Sequence, residues 1–397
     1  MTQVLAADIP RSLDRLVAEY ARAGTSLEAW LFEDELSRRD AEAKLAAAGV
    51  RARIRSAYKP LLHFFLEEVE LSGLTATTVY VPSHPLAVKS RFRLEAYPLA
   101  GLLKGVQVRF EQGGEDLHYV VVTEHGARRV EHRVFAPNRD RLNILGKRAL
   151  APCGWIKTAE DAPGEPLQTE YELAFDRIMA AVAGFTWPKA EPFFDVLDIA
   201  VETTGIEHRL SYGDECVSTR EALHEDLYFS ILEYFKAANG LDAEDRRLQV
   251  GQIVPDIRAG TGPTKIRVTL RPGDRSTWTD APQPLETAMR PLAPAQIAQE
   301  VEALGGARFD VVSGQGRPVL ATHIPGRGPG LLVSGGQHAN ETSGVVGGAA
   351  GGSGIEGQGN RLCAHPAGES GRVCPARLAP PAQPSAHASR RQVHGPR

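Results

Sequence analysis

Cysteine is scarce in this 397-residue chain. Only Cys153, Cys216, Cys363 and Cys374 are present. They show no metal-binding spacing and are too few for a disulfide scaffold. No apolar run approaches the roughly 18 residues of a membrane-spanning helix, so no membrane partner is expected. Positive charge is not in excess either. Lys and Arg number 45 against 49 Asp and Glu, for a net charge of -4, which argues against a nucleic-acid partner. The opening MTQVLAADIPRS lacks the basic stretch and apolar run of a secretory signal, so a cytoplasmic location is expected. What is present is an ordinary globular composition. At 42% hydrophobic and 24% charged residues, the chain can build a core, and its length suits two or three domains.

Patterning predicts an α+β domain over residues 1–165, a second over 166–270, a linker over 271–290, a shorter α/β segment over 291–347 and a tail over 348–397. The first seventy residues read as helical. Leu13, Leu16, Val17 and Tyr20 recur at helical spacing after Pro10. Asp40 to Ala48 is Ala-rich and stops at Gly49, and Lys59-Pro60 opens LLHFFLEEVEL. Between 76 and 137, TTVYV, RFRLEAY, GVQVRFEQ, LHYVVVTEHG and RRVEHRVF alternate apolar and polar residues. That predicts strands, and the short connections favour an antiparallel sheet. Residues 167–184 predict a helix carrying Tyr171, Leu173, Ile178, Met179 and Val182. Ser218 and Glu221 have capping-box spacing ahead of a helix with Leu223, Leu227, Ile231 and Tyr234 on one face, stopping at Asn239-Gly240. Its His224, Glu225 and Asp226 are consecutive, so they point in different directions and read as a solvated face, not a ligand set. Cys216 has no nearby histidine to make it a nucleophile. The proline-rich stretch from Arg271 to Pro294 reads as a boundary.

Beyond that boundary the pattern sharpens. AQIAQEVEAL predicts an amphipathic helix with Ile297, Val301 and Leu304 on one face, ended by Gly305-Gly306. RFDVVSG and PVLATHI read as short strands, and GLLVSGG (330–336) as an apolar strand ending in glycines. Gln337-His338-Ala339-Asn340-Glu341-Thr342 follows at once. The carboxyl end of a buried strand is where open α/β sheets hold their sites. His338 and Glu341 are three residues apart, which on a helical turn puts them on one face. Imidazole nitrogen and carboxylate oxygen are both Zn²⁺ donors.

With its helix, two strands and a strand running into Gly336-x-His338-x-x-Glu341, the segment resembles the zinc carboxypeptidases of the carboxypeptidase A-like family. The resemblance covers residues of about 291 to 347. It implies a mixed α/β sheet, one Zn²⁺ ligated in part by His338 and Glu341, and removal of C-terminal amino acids from peptides. The segment then counts as an incomplete catalytic domain. Two departures accompany it. Many digestive members carry Arg where Asn340 stands, and the related N-acyl-amino-acid deacylases often show H-G-N-E or H-G-D-E, closer to this HANE. The family's second His ligand, substrate-gripping Arg residues and general-base Glu lie further downstream. Nothing after Gly347 supplies them; His365, His387 and His394 sit in a stretch with no strand to position them. The catalytic residues are therefore unknown, and the literal chain is expected to be inactive.

From Gly348 to Arg397 there is no Lys, Asp, Thr, Met, Phe, Tyr or Trp, and the large aliphatics are Ile355, Leu362, Val373, Leu378 and Val393. Such a stretch cannot offset its ordering entropy and is expected to be disordered. The jump in composition is abrupt enough to raise a second hypothesis, a shifted reading frame. Pro366 to Pro375 can be encoded so that reading one base later gives PLENPDGYA. N-P-D-G-Y is a motif of the carboxypeptidase family at the corresponding place. The same shift from Gly348 can give an amphipathic helix and then a strand. None of those shifted residues exists in this chain. Three functions stay open: a zinc carboxypeptidase acting on peptides, a zinc-dependent amidohydrolase acting on N-acyl amino acids, and a non-enzymatic binding module made of residues 1–290.

Overall fold

The computed structural model describes residues 1–143, 146–159, 162–212, 215–242, 245, 248–273, 281–288, 292–312, 318–325, 331–335, 346–347 and 360–364. The chain mixes helices with several sheets and divides into two units, Met1–Gly273 and Asp274–Arg397. That boundary falls inside the proline-rich 271–290 stretch.

The first unit opens with β1 (Thr2–Ile9), α1 (Ser12–Tyr20), β2 (Ser26–Leu31), α2 (Glu35–Ala47), β3 (Arg51–Ser56) and α3 (Pro60–Glu67). The three helices match the apolar spacing, but the stretch is α/β, not all helical as the sequence predicts. The strands escape notice because what pairs them is distant: β1 binds its partner about 260 residues later (Ala6 opposite Arg267). Next come β4 (Ala76–Val81), α4 (Arg91–Glu95), α5 (Leu99–Leu102), β5 (Gln107–Gln112), β6 (His118–His125), β7 (Arg128–Phe135), β8 (Asn138–Leu142), β9 (Arg148–Pro152), β10 (Gly154–Lys157) and β11 (Glu165–Leu167). The expected strand RFRLEAY is α4. Phe92 is 1% exposed and Leu94 63%; on a strand these two would share a face. The sheet is also not wholly antiparallel, since β4 pairs with β5 in parallel. The unit closes with α6 (Glu170–Gly184), β12 (Val196–Thr203), β13 (Glu207–Arg209), β14 (Cys216–Ser218), α7 (Thr219–Ala238), β15 (Gln252–Ala259) and β16 (Thr264–Arg271).

Three sheets result, in the orders β1-β16-β12-β15, β11-β10-β2-β3 and β5-β4-β6-β7, with β13-β14 and β8-β9 as two-stranded pairs. The first draws β1 from one side of residue 165 and its other strands from beyond it. Ile178 and Val182 of α6 and Leu227, Ile231 and Phe235 of α7 pack with Leu197, Ile199 and Val268 of that sheet. Leu45 and Ile54 join α2 to β3, with Leu31 of β2 in the same core. Both long helices start on a side-chain cap. Thr169 and Glu172 form a full capping box on α6. On α7 the Glu221 amide donates to the Ser218 hydroxyl at 3.0 Å.

Charged groups are buried in pairs. Arg38 is fully buried and donates to both Glu67 oxygens, at 2.9 and 2.6 Å. Arg39 and His63 reach the same carboxylate. Burial alone would raise the Glu67 carboxyl, but bonds from His63 and Arg38 outweigh it and hold the group below the usual carboxylate range. Glu33, 1% exposed, accepts from Arg11 Nε at 2.9 Å and from the Thr204 hydroxyl at 3.1 Å, and its second oxygen has no hydrogen-bond partner among the described residues. Burial pushes it up to about 7 despite the Arg11 bond, with Glu170 adding to the rise.

The second unit holds α8 (Pro294–Ala303), β17 (Ala307–Arg308), β18 (Val311–Val312), β19 (Pro318–His323), β20 (Leu331–Gly335) and β21 (Asn360–Ala364). Its sheet runs β17-β19-β21-β20, with β18 on β19. β19 and β21 are antiparallel and β20 and β21 parallel, so the sheet is mixed. Ile297 and Val301 of α8 are buried with Leu292, and Leu320 packs against them. Gly306 follows α8 with φ 86°; a Cβ there would lie 2.5 Å from the His323 carbonyl oxygen. β21 corrects the expectation of no regular structure after residue 348 for Asn360–Ala364. Two open strand edges offer backbone partners on both sides, which a composition argument does not weigh. The rest of 348–397 lies outside the described residues.

Candidate functional site

The residues singled out for metal binding, His338 and Glu341, lie outside the described residues, as do Gly336, His365, His387 and His394. Their framework is described. β20 ends at Gly335, and its parallel neighbour β21 begins at Asn360. Among the described residues no group of three His, Cys, Asp or Glu could hold a metal ion.

Both described thiols are poor nucleophiles. Cys153 is fully buried, and burial pushes its thiol up to about 12. Cys216 is pushed up to about 11 by burial and by its hydrogen bond to Glu207, at 3.2 Å. Neither is a thiolate at neutral pH.

A cluster the sequence reading did not identify lies in the first unit, at the carboxyl ends of the parallel strands β2 and β3. The Ala57 amide donates to the Leu31 carbonyl at 2.8 Å, extending the pairing by a residue. Tyr58 and Lys59 come next. Lys59 has φ 45° and ψ 58°, and it is the one described residue other than glycine with positive φ. A lysine in the left-handed region is strained, and such strain concentrates at functional positions. Its ammonium sits 4.6 Å from the Tyr97 ring centroid and 5.6 Å from that of Tyr58. Burial lowers the Lys59 pKa, opposed by the charges of Glu215, Glu95, Glu221 and Glu225.

A separate polar group of this unit is Asp226 of α7. It accepts a long hydrogen bond, 3.4 Å, from the Tyr171 hydroxyl. Tyr171 stacks on Phe32 with ring centroids 4.6 Å apart. Enclosure by the surrounding protein pushes Asp226 up to about 6 against that bond, with Glu225 adding to the rise. Yet the side chain is open to solvent. Burial first, then Glu221 and Asp226, raise the Tyr58 phenol. Of the consecutive His224, Glu225 and Asp226, only Asp226 reaches Tyr171; the three do not converge. The available signal was Tyr58-Lys59-Pro60, where a lysine precedes a proline directly after a strand.

Two concavities lie elsewhere in this unit. An open groove of about 730 Å³ is lined by Glu28, Arg39, Glu42, Arg51, Arg53 and Lys157. Its charges are largely spent on each other, as in Arg39–Glu42 at 2.6 Å. A smaller pocket of about 270 Å³ is walled by Trp187, Phe193, Tyr234 and Phe235.

No family model matches this chain, and no curated protein matches it.

Proposed function

We propose that the second unit is the opening part of a zinc metallocarboxypeptidase domain, which hydrolyses C-terminal amino acids from peptides, and that this chain is an incomplete, inactive product. The observation that carries the reading is a β-strand in a mixed sheet, β20, whose carboxyl end at Gly335 runs directly into Gly336-x-His338-x-x-Glu341. The preceding helix α8 and the glycine turn behind it support the same reading. The donor set is right in kind and short in number. An imidazole and a carboxylate suit Zn²⁺, but catalytic zinc takes three protein ligands. When bound, zinc polarises a scissile carbonyl and activates water; with two ligands at hand no step is assigned to this chain.

Metal analysis after dialysis and release of C-terminal residues from a mixed peptide pool test the proposal. This chain should retain little zinc and show no turnover, whereas an in-frame product should do both. Stoichiometric zinc with zinc-dependent turnover in this chain would place the site elsewhere. The coding DNA around codons 347 and 348 decides the frame hypothesis. The HANE sequence favours a second reading, an amidohydrolase of N-acyl amino acids. An in-frame product that cleaves an acyl amino acid and spares peptides would select it.

A further inference from the structure

We propose that the free edge of β1 is an interaction surface whose partner is β1 of a second copy of this chain, paired antiparallel about a twofold axis through Ala7. The inference does not depend on the zinc reading.

The first observation is that this unit masks its other sheet edges and leaves this one open. An outer strand offers a row of unpaired amides and carbonyls, which proteins mask with proline, charge, brevity or a covering group. The outer strands of the three four-stranded sheets are β1, β15, β3, β11, β5 and β7. β15 carries Pro255, and β11 is three residues long with Pro166 at its centre. On β3 the Ile54 amide donates to Glu42 and the Ile54 carbonyl accepts from Arg38. β5 exposes Arg109 and Glu111, and β7 exposes Arg128, Arg129, Glu131 and Arg133. β1, TQVLAADI, is eight residues long with no proline, lysine or arginine. Among the described residues no strand pairs with its outer side. A bulge between Gln3 and Leu5 leaves Leu5–Ile9 as the regular run.

The second observation is which groups of that run point outward. The Thr203 carbonyl accepts from the Gly260 amide at 2.8 Å, on the β15 side of β12. Backbone groups alternate in direction along a strand. The registers of β12 with β16 and of β16 with β1 therefore turn Leu5, Ala7 and Ile9 towards β16, and Ala6 and Asp8 off the sheet. Arg177 of α6 touches this edge at the Asp8 carbonyl, at a long 3.4 Å.

The run complements itself. With the axis at Ala7, Leu5 lies opposite Ile9 of the second copy, Ala7 opposite Ala7, and Ala6 opposite Asp8. The outward N–H and C=O groups of Ala6 and Asp8 then satisfy one another across the axis. Leu5 packs on the α6–α7 core and Ile9 is 1% exposed, so an apolar face continues into an apolar face. Ala6 and Asp8 are exposed on the other face. There each carboxylate meets a small side chain, whereas in-register parallel pairing would set Asp8 against Asp8. One strand supplies both sides of the match, which favours a second copy over an unrelated peptide.

The test is sedimentation of the full 397-residue chain from about 1 μM to about 1 mM, the range in which a small contact associates, with hydrogen exchange at both ends of it. The chain should pass from monomer to dimer, and the Ala6 and Asp8 amides should exchange about tenfold or more slowly where the dimer prevails. Ala6→Glu sets a carboxylate opposite Asp8 twice per dimer and should weaken association about tenfold. Ala6→Lys sets an ammonium there and should hold or tighten it. Within its own sheet Ala6 lies opposite Arg267, so damage to the fold would run in the reverse order, Ala6→Lys worse than Ala6→Glu. The proposal is overturned if the chain stays monomeric throughout, if Ala6→Glu associates as tightly as Ala6→Lys, or if association leaves the Ala6 and Asp8 amides unprotected, as pairing through another surface would.

Discussion

Glu33 and Glu67 show how one residue type takes opposite roles in a single unit. Glu67 is surrounded by donors and stays ionised; Glu33 has one arginine, one hydroxyl and a second carboxylate, Glu170, for company. A carboxyl raised from 4.5 to about 7 keeps its proton in the folded state after the unfolded chain has lost it. Folding therefore binds more protons between those two pH values, and stability falls as pH rises through that window. The effect is on the order of 3 kcal/mol, at 1.36 kcal/mol per pH unit. Glu33→Gln removes the titrating group. Its stability relative to the parent should rise from pH 4.5 to 7 and level off above, read from urea midpoints at each pH. A difference that is flat with pH would show that Glu33 is ionised throughout. At Arg38 the expectation is loss. Arg38→Met strands a buried carboxylate, which costs about 3–5 kcal/mol. Arg39 still reaches Glu67 at 2.6 Å, so the lower end of that range is expected in denaturant unfolding.

Among the elements, α6 depends on its first turn. Thr169 accepts the Glu172 amide, and the Glu172 carboxylate accepts the Thr169 amide at 3.2 Å and the Gly154 amide at 3.0 Å. Thr169→Ala should cost about 1 kcal/mol, the usual worth of such a cap, in urea unfolding; no change would mean that Glu172 holds the turn alone. The box T-x-x-E stands in the sequence as plainly as S-x-x-E before α7. Helices were legible because each announces itself locally, by a cap and an apolar stripe: Leu223, Leu227 and Ile231 are all buried. Phe235, not Tyr234, completes that stripe. Strands were legible where the chain alternates and pairs with a near neighbour, as β6 does with β7. β1, β2 and β3 were not. RARIRS has a single large aliphatic, and β2 and β3 meet only across a helix. The strand ahead of His338 and Glu341 could be read in advance, whereas the surroundings of Lys59 could not. Lys59 and Tyr97 come from separate segments, as do Tyr171 and Asp226, and only the tertiary fold makes each pair neighbours.

For the whole molecule, the division at Gly273 is the feature with the widest reach. The first unit has a sheet in which its first strand, β1, pairs with its last, β16, and several apolar cores of its own. Residues 1–273 expressed alone should therefore unfold in one cooperative transition. A fragment that is molten by near-ultraviolet circular dichroism would show that the remaining residues are needed. No described helix is long and apolar enough to cross a membrane. In the second unit β21 is the joint of the sheet. β19 and β20 have no bond to each other and meet only through it. Ending the chain at Gly347 should expose both edges, and unpaired edges recruit other chains. Light scattering of that truncated form should rise well above that of the full chain; equal scattering would mean that the edges are covered some other way.

The slot that β21 fills is addressed by backbone groups. The N–H and C=O groups lining it on either side are the same whatever side chains flank them, so the slot selects for an extended backbone with a full set of amides, not for a particular string of residues. The gap between β19 and β20 thus works as a tolerant receptor for a short strand. A proline-free segment from a neighbouring chain, or from a differently translated version of this one, competes for it on nearly equal terms with Asn360–Ala364.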